Sequence, residues 1–418
     1  MTPADQPKTS DGVRAAYGRR RPWRSAARTR LTWEMLRLAR KRRTEGLADY
    51  IEFVPASSDP AVVADVSSRV NWYLRDRTVP VYMDGADRIA FGPDAAPYLD
   101  PELVIDPGWS STRPVGTPEI VLHEATTRSL LRFAAGSQKA SLASATLSLP
   151  AERGWFTLQT LYGNTLVPSA QDGMNKLRAL AGDKATALVL ATGPSAKLVD
   201  PAKVTADLRI TCNSAVRDHE LLEQLRPDVI AFADRVFHFG PSRYAAAFRA
   251  DLRAAMENTG ATFVTTTNWA GPLLAHMPEI ADRLAVLPSV PAAEWHWPTQ
   301  SEPWVRATGN VLTSLMLPVA FMLADDILIA GCDGRKPDER YFWKHNANTQ
   351  YTDELMESAF AAHPAFFGDR DYVDYYDDHC RELNELLATA EQAGKHSRGL
   401  TPSHIPALRD RGAPAFPH

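Results

Sequence analysis

The sequence predicts an α/β protein: a parallel sheet with helices on both faces, preceded by a smaller α/β domain. Three observations predict it. Short apolar segments alternate with helix-compatible ones over the second half of the chain, as strand–helix–strand units do. The stretch Ala187-Leu-Val-Leu-Ala191 is an apolar run without polar alternation, which suits a buried parallel strand. That run stops abruptly at Gly193-Pro194-Ser195, as a buried strand does on entering a tight turn.

Before that region, Asp49–Pro55 reads as a strand and Asp59-Pro60 starts a helix running to Leu74, with proline in its first turn. Short strands follow at 79–83, 103–106 and 119–123, then a helix over 127–135. This domain spans 49–166 and carries no chemical motif, although His123-Glu124 lies at a strand end. The second domain spans 172–410. Its strands are Ala187–Ala191, Leu208–Cys212, Asp228–Ala233, Thr262–Thr266, Leu284–Leu287 and Asp326–Ala330. Helices fall between them at Arg217–Leu225 and Tyr244–Met256, and the longest apolar run covers Val311–Ala324. From Asp371 to Gly394 the apolar residues Val373, Tyr376, Cys380, Leu383, Leu387 and Ala390 recur at helical spacing, and Gly394 supplies the cap. The acids Asp371, Asp374, Asp377 and Asp378 read as partners of that helix's positive N-terminal end rather than as a metal cluster.

Several strands end in polar residues at the same edge: Thr192, Asn213, Asp234 and Asp333. A helix cap accounts for any one of them, but their repetition points to a ligand crevice. Backbone amides in the Gly193-Pro194-Ser195 turn suit a phosphate.

Charge is uneven. Twelve Arg or Lys residues and the single acid Glu34 lie between Arg14 and Arg43, while the remainder is acidic and the chain as a whole carries −4. The stretch 32–43 reads as an amphipathic helix with Trp33, Met35, Leu36 and Leu38, suited to an anionic membrane surface; a solvated tail is the other reading of 1–48. Nucleic acid is not expected as a partner, because no aromatic-basic groove accompanies the charge. No apolar run approaches the roughly 20 residues of a membrane span, and the N-terminus has no secretory apolar core, so the cytoplasm is the expected compartment. The three cysteines fit neither a disulfide framework nor a zinc pattern.

The order of these motifs resembles the bacterial sialyltransferases that use CMP-activated sialic acid, over about 187–408. The resemblance implies a Rossmann-like fold with a lid, here about 334–370. It also implies inverting transfer of sialic acid or a related sugar from a CMP donor to a glycan or glycolipid, without metal or other cofactor. Ala191-Thr192-Gly193-Pro194-Ser195 matches the family's opening turn, with Ala-Thr in place of Gly-Asn. Cys212-Asn213 matches a nucleotide-holding Cys-Asn, and Asp234 stands where the family has a second asparagine. Thr308-Gly309-Asn310 matches the turn that opens the long helix, and Gly331-Cys332-Asp333 matches Gly-Ile-Asp. Ser403 is an expected nucleotide contact near the last strand. Tyr341, eight residues beyond Asp333, corresponds to a lid tyrosine; Arg335 replaces the family's other one. His363, eight residues before Asp371, is the expected catalytic base, with His345 as the competing base and Arg335 or Lys344 assisting at the phosphate. The same Gly-x-Gly-Pro-Ser and Gly-x-Asp skeleton is similar to the 6-hydroxymethylpterin diphosphokinase-like family, which implies diphosphate transfer from ATP with magnesium. A binding protein without catalysis is the remaining alternative.

Overall fold

The computed structural model describes residues 48–55, 57–89, 98–100, 108–116, 118–122, 141–144, 159, 162–182, 185–334, 348–349, 351–362 and 372–416. The chain divides into two compact units. One runs to Thr165 and takes in Gly240–Ala245 and the helix Asp353–Ala362; the other holds Leu166–Phe239, Ala246–Thr352 and Asp369–His418.

The first unit is built on strands β1 (Tyr50–Val54), β2 (Val81–Tyr82), β3 (Pro118–Leu122) and β4 (Ser141–Ser144). They form one parallel sheet in the order β2-β1-β3-β4. The helix Pro60–Tyr73 starts where Asp59 accepts a hydrogen bond from the Ala61 amide with Pro60 at the first position, both ordinary start signals. It buries Val63, Val66, Val70 and Trp72. Arg69 is buried on the same helix and pairs with Asp65 at 3.0 Å, one turn away. The expected strand at 103–106, the helix at 127–135 and His123-Glu124 lie outside the described residues.

The second unit carries β5 (Thr186–Leu190), β6 (Leu208–Cys212), β7 (Val229–Ala231), β8 (Thr262–Thr266) and β9 (Leu284–Leu287). A two-stranded parallel pair, β10 (Ser289–Val290) and β11 (Val305–Arg306), follows, then β12 (Asp326–Ala330) and β13 (His396–Gly399). The main sheet has seven parallel strands in the order β13-β12-β5-β6-β7-β8-β9, a Rossmann-like arrangement. The chain adds β6 to β9 on one side of β5 and then returns to place β12 and β13 on the other. The strand order therefore reverses between β5 and β12, and the crevice outside the carboxyl ends of two such strands is where open α/β sheets hold ligands.

Both faces are covered, which explains the continuous apolar strands. On one face Ala187, Val189, Ile210, Val229, Ile327 and Ile329 pack with Met174 and Leu177, Leu315 to Phe321, and Leu383 to Ala390. On the other, Leu188, Leu190 and Ala330 pack with Leu225. Phe232 stacks on Phe263 and meets Phe239 and Phe248 edge-on there, the last on the helix Arg243–Asn258.

The segment after Gly193 forms no long helix. Pro194 and Pro201 each start only a short 3₁₀ turn, Pro194–Leu198 and Pro201–Lys203, and Pro201 holds Asp200 before it in extended backbone, which keeps the two turns apart. The apolar helix expected after Asn310 is not regular throughout. Its first turn, Leu312–Met316, is a π turn in which the Leu317 amide bonds back to the Leu312 carbonyl. Pro318 has no amide for the Ser314 carbonyl, and widening the turn relieves the clash its ring would cause.

Candidate functional site

The residues expected at the nucleotide fall at the carboxyl edge of the seven-stranded sheet, in the turns that leave β5, β6, β7 and β12 and at the start of the π turn. They do two different jobs.

The turns after β5 and β12 are clasped together at the reversal point. The Gly193 amide donates to the Gly331 carbonyl at 2.9 Å. The Ser195 amide donates to Asp333 Oδ1 at 3.0 Å, and its hydroxyl donates to Oδ2 at 2.7 Å. Ser195 Oγ also lies 3.0 Å from Thr401 Oγ1, which in turn accepts from the Gly331 amide at 2.9 Å. Ser195, Thr401 and Asp333 are all buried. Burial raises the Asp333 carboxyl above the ordinary aspartate value, and the hydrogen bonds from Ser195 oppose that shift. The glycines here are required. Gly331 has φ +69°, and a β-carbon on it would run into the Ala191 carbonyl. One on Gly193 would strike Asp333 and the Gly331 carbonyl. Ser403 belongs to the same clasp: its hydroxyl donates to the Cys332 carbonyl at 2.7 Å and accepts from the Ile405 amide at 3.0 Å. Ser195, Asp333 and Ser403, expected to touch the nucleotide, thus spend these polar groups on holding the edge of the sheet. Thr192 and Pro194 lie in the same turn, Thr192 buried and Pro194 half-buried.

The turns after β6 and β7 and the start of the apolar helix present unspent groups. Asn213 follows β6 with φ +45°, and Asp234 follows β7 with φ +74°. Left-handed backbone is uncommon outside glycine and is best tolerated by Asn and Asp. Among the described residues the third such position, Arg226, ends a short helix, whereas these two sit side by side at the candidate crevice. Asn213 Oδ1 accepts from the Ala233 amide at 3.0 Å, tying the two turns together and leaving the Nδ2 amide free among the described residues. Asp234 Oδ1 caps the helix Arg235–Phe239 through the Phe237 amide at 3.1 Å, leaving Oδ2. Asn310 Oδ1 takes the Leu312 amide at 2.9 Å, leaving its Nδ2. Thr308 is 2.9 Å from the Thr313 hydroxyl, and the Gly309 carbonyl accepts from the Tyr375 hydroxyl.

Tyr341, Lys344, His345, Arg335 and His363 lie outside the described residues, as does Arg14–Arg43. Of the expected lid, residues 334, 348–349 and 351–362 are described, and Asp353–Ala362 form a helix in the first unit. Asp377 and Asp378 are exposed, with Asp378 paired to Arg381 at 2.7 Å. Among the described residues no group of three His, Cys, Asp or Glu side chains is gathered that could hold a metal ion. None of the described helices is long and apolar enough to cross a membrane. Cys212 and Cys332 are buried free thiols, and burial pushes Cys212 up to about 12.

No family model matches the chain, and no curated protein matches it. Among solved structures the chain is similar to the sialyltransferase CstII from Campylobacter jejuni, in complex with the substrate analogue CMP-3FNeuAc. The identity is 11% and the TM-score 0.30, over 56% of this chain and 86% of that one, a distant likeness of fold and nothing finer.

Proposed function

We propose that the protein is a glycosyltransferase that moves sialic acid or a related sugar from a CMP-activated donor to a glycan or glycolipid, with inversion and without a metal. The observation that carries this reading is the pair of strained, polar turns after β6 and β7, beside the point where the strand order reverses. Asn213 and Asn310 offer amide donors and Asp234 a carboxylate oxygen, a set suited to the base and ribose of a nucleotide. The Gly193 and Ser195 amides expected at its phosphate are bonded to the Gly331 carbonyl and to Asp333 instead, so the phosphate needs other donors. The motif order along the sequence supports CMP as that nucleotide.

In the transfer, the acceptor hydroxyl oxygen bonds to the anomeric carbon as that carbon's bond to the phosphate oxygen breaks. The hydroxyl proton passes to His363, and CMP leaves with the electron pair. Tyr341, with Arg335 or Lys344, meets the charge that develops on the phosphate, a task donors and cations perform without a metal. His345 is the competing base. Histidine suits proton abstraction because its ordinary pKa lies near neutrality. A basic 14–43 segment holding the protein to the inner face of an anionic membrane would bring it to a lipid-linked acceptor.

Thermal-shift titration with CMP, CDP, UDP, GDP and ATP tests the nucleotide: CMP should stabilise the protein most. A greater shift with ATP that needs magnesium would favour diphosphate transfer, and no shift with any nucleotide would favour neither enzyme. For the base, His363→Ala should lower turnover by roughly 10²–10⁴-fold with CMP affinity almost unchanged. That loss on His345→Ala, with none on His363→Ala, would move the role to His345.

A further inference from the structure

The turn after β6 contains a cation that the fold leaves unanswered. Arg217 ends the 3₁₀ turn Asn213–Arg217 at the carboxyl edge of the sheet. Its guanidinium lies over the ring of Tyr351, 4.9 Å from the centroid. Tyr351 is 4% exposed, and its hydroxyl donates to Asp251 Oδ2 at 2.5 Å, so the platform under Arg217 is fixed. Stacking orients a guanidinium but uses none of its five N–H donors. Among the described residues Arg217 makes no hydrogen bond and no ion pair. Its Nη1 is enclosed by protein without a partner. The adjacent acid is committed elsewhere, since Asp218 Oδ1 accepts from the Leu221 amide at 3.0 Å. A second orphan sits on the same turn: Ser214 is fully buried and its hydroxyl has no partner among the described residues.

Buried donors in folded proteins are nearly always satisfied, and leaving a charged one unmet is costly. Neither enclosed atom can itself meet a ligand, but a stacked guanidinium at the carboxyl edge, with no acid paired to it among the described residues, keeps its remaining donors for one. With Nη1 enclosed, the Nε–Nη2 edge is the one open to a ligand, and that edge matches two oxygens of one oxyanion side-on. Arg217 lies four residues from Asn213, whose free amide faces the same edge of the sheet in the reading above.

We infer that Arg217 is an oxyanion-binding residue, and that its ligand is the phosphate group of the nucleotide held at the β6 turn. This rests on the proposed nucleotide site but goes beyond it. Arg217 has no counterpart in the motifs that suggested that site, and it places a cation on the turn after β6 rather than in the 334–370 segment.

Calorimetric titration with CMP, cytidine and inorganic phosphate tests the assignment on the intact chain. The wild type should prefer CMP over cytidine. Arg217→Met should reduce that preference by about tenfold or more, as loss of a bidentate charge-assisted contact does, with cytidine affinity retained. Arg217→Lys should recover only part of it, because a point charge lacks the fork. In the wild type, CMP and inorganic phosphate, but not cytidine, should protect Arg217 from arginine-selective phenylglyoxal, a measurement that does not depend on a variant folding. Unchanged CMP preference in Arg217→Met, or modification of Arg217 at the same rate with and without phosphate and CMP, would overturn the assignment. Protection by phosphate in a protein that does not bind cytidine or prefer CMP would keep Arg217 as an oxyanion site and sink the nucleotide reading instead.

Discussion

Asp333 is a buried carboxylate whose hydrogen-bond partners come from a turn 138 positions earlier in the chain. Removing it by Asp333→Ala leaves the Ser195 amide and hydroxyl without this acceptor at the junction of β5 and β12, and should cost roughly 2–4 kcal/mol in urea denaturation. Its titration has a definite sign. The folded-state pKa is raised above the ordinary 3.8, so the stability linked to this group is fully present below that value and is lost as pH rises through the folded value. Asp333→Asn does not titrate. The wild type's stability minus that of Asp333→Asn should therefore fall as pH rises from the ordinary aspartate value, and a difference that grows instead would contradict the burial argument. Asp234 is a different kind of acid: half-exposed, left-handed, with one oxygen on a helix cap and the other unspent.

At the scale of elements, the helix Tyr372–Gln392 carries His379 in the interior, and burial lowers its pKa to about 4. The stability linked to a depressed histidine is complete above the ordinary 6.5 and is lost as pH falls toward about 4, because only the unfolded chain takes up the proton in that window. His379→Gln should flatten the pH dependence there by up to about 1.4 kcal/mol per pH unit, measured by denaturant unfolding. An unchanged slope would show that His379 is charged in the folded protein. The strands that announced themselves in sequence are β6, β8, β9 and β12, which occupy the expected residues because buried apolar and threonine side chains dominate them. β13 was not legible. It reads His396-Ser-Arg-Gly399, an edge strand paired to β12 alone, whose side chains carry no apolar pattern. The helix Ala170–Arg178 was also unread, although Ser169 and Asp172 form a capping box that the spacing spells out. Thr267–His276 was obscured by Pro272 inside it. At the candidate site, strand-end polarity picked out turns at one edge of the sheet, but it could not separate Asn213 and Asp234, which keep free atoms among the described residues, from Ser195 and Asp333, which close on each other. That distinction depends on which turns the strand order makes neighbours. Arg217 gave no sequence signal at all, since one arginine after a strand is an ordinary sight.

At the scale of the whole molecule, the four-stranded and seven-stranded sheets lie in separate units, and a strongly basic segment spans 14–43. If the basic segment serves a lipid-linked acceptor, deleting 14–43 should abolish sedimentation with anionic liposomes while sparing activity on a soluble acceptor. Binding by the full chain should weaken as salt screens the charge. No liposome binding by the full chain even at low ionic strength would reduce the segment to a solvated tail. The central claim, metal-free transfer from a CMP donor, is tested most directly by donor turnover. The protein is incubated with CMP-sialic acid or CMP-Kdo in the presence of EDTA, and released CMP is measured. The account predicts CMP release at the same rate with and without EDTA, lost in His363→Ala. No release from either donor, together with ATP consumption that EDTA abolishes, would contradict it.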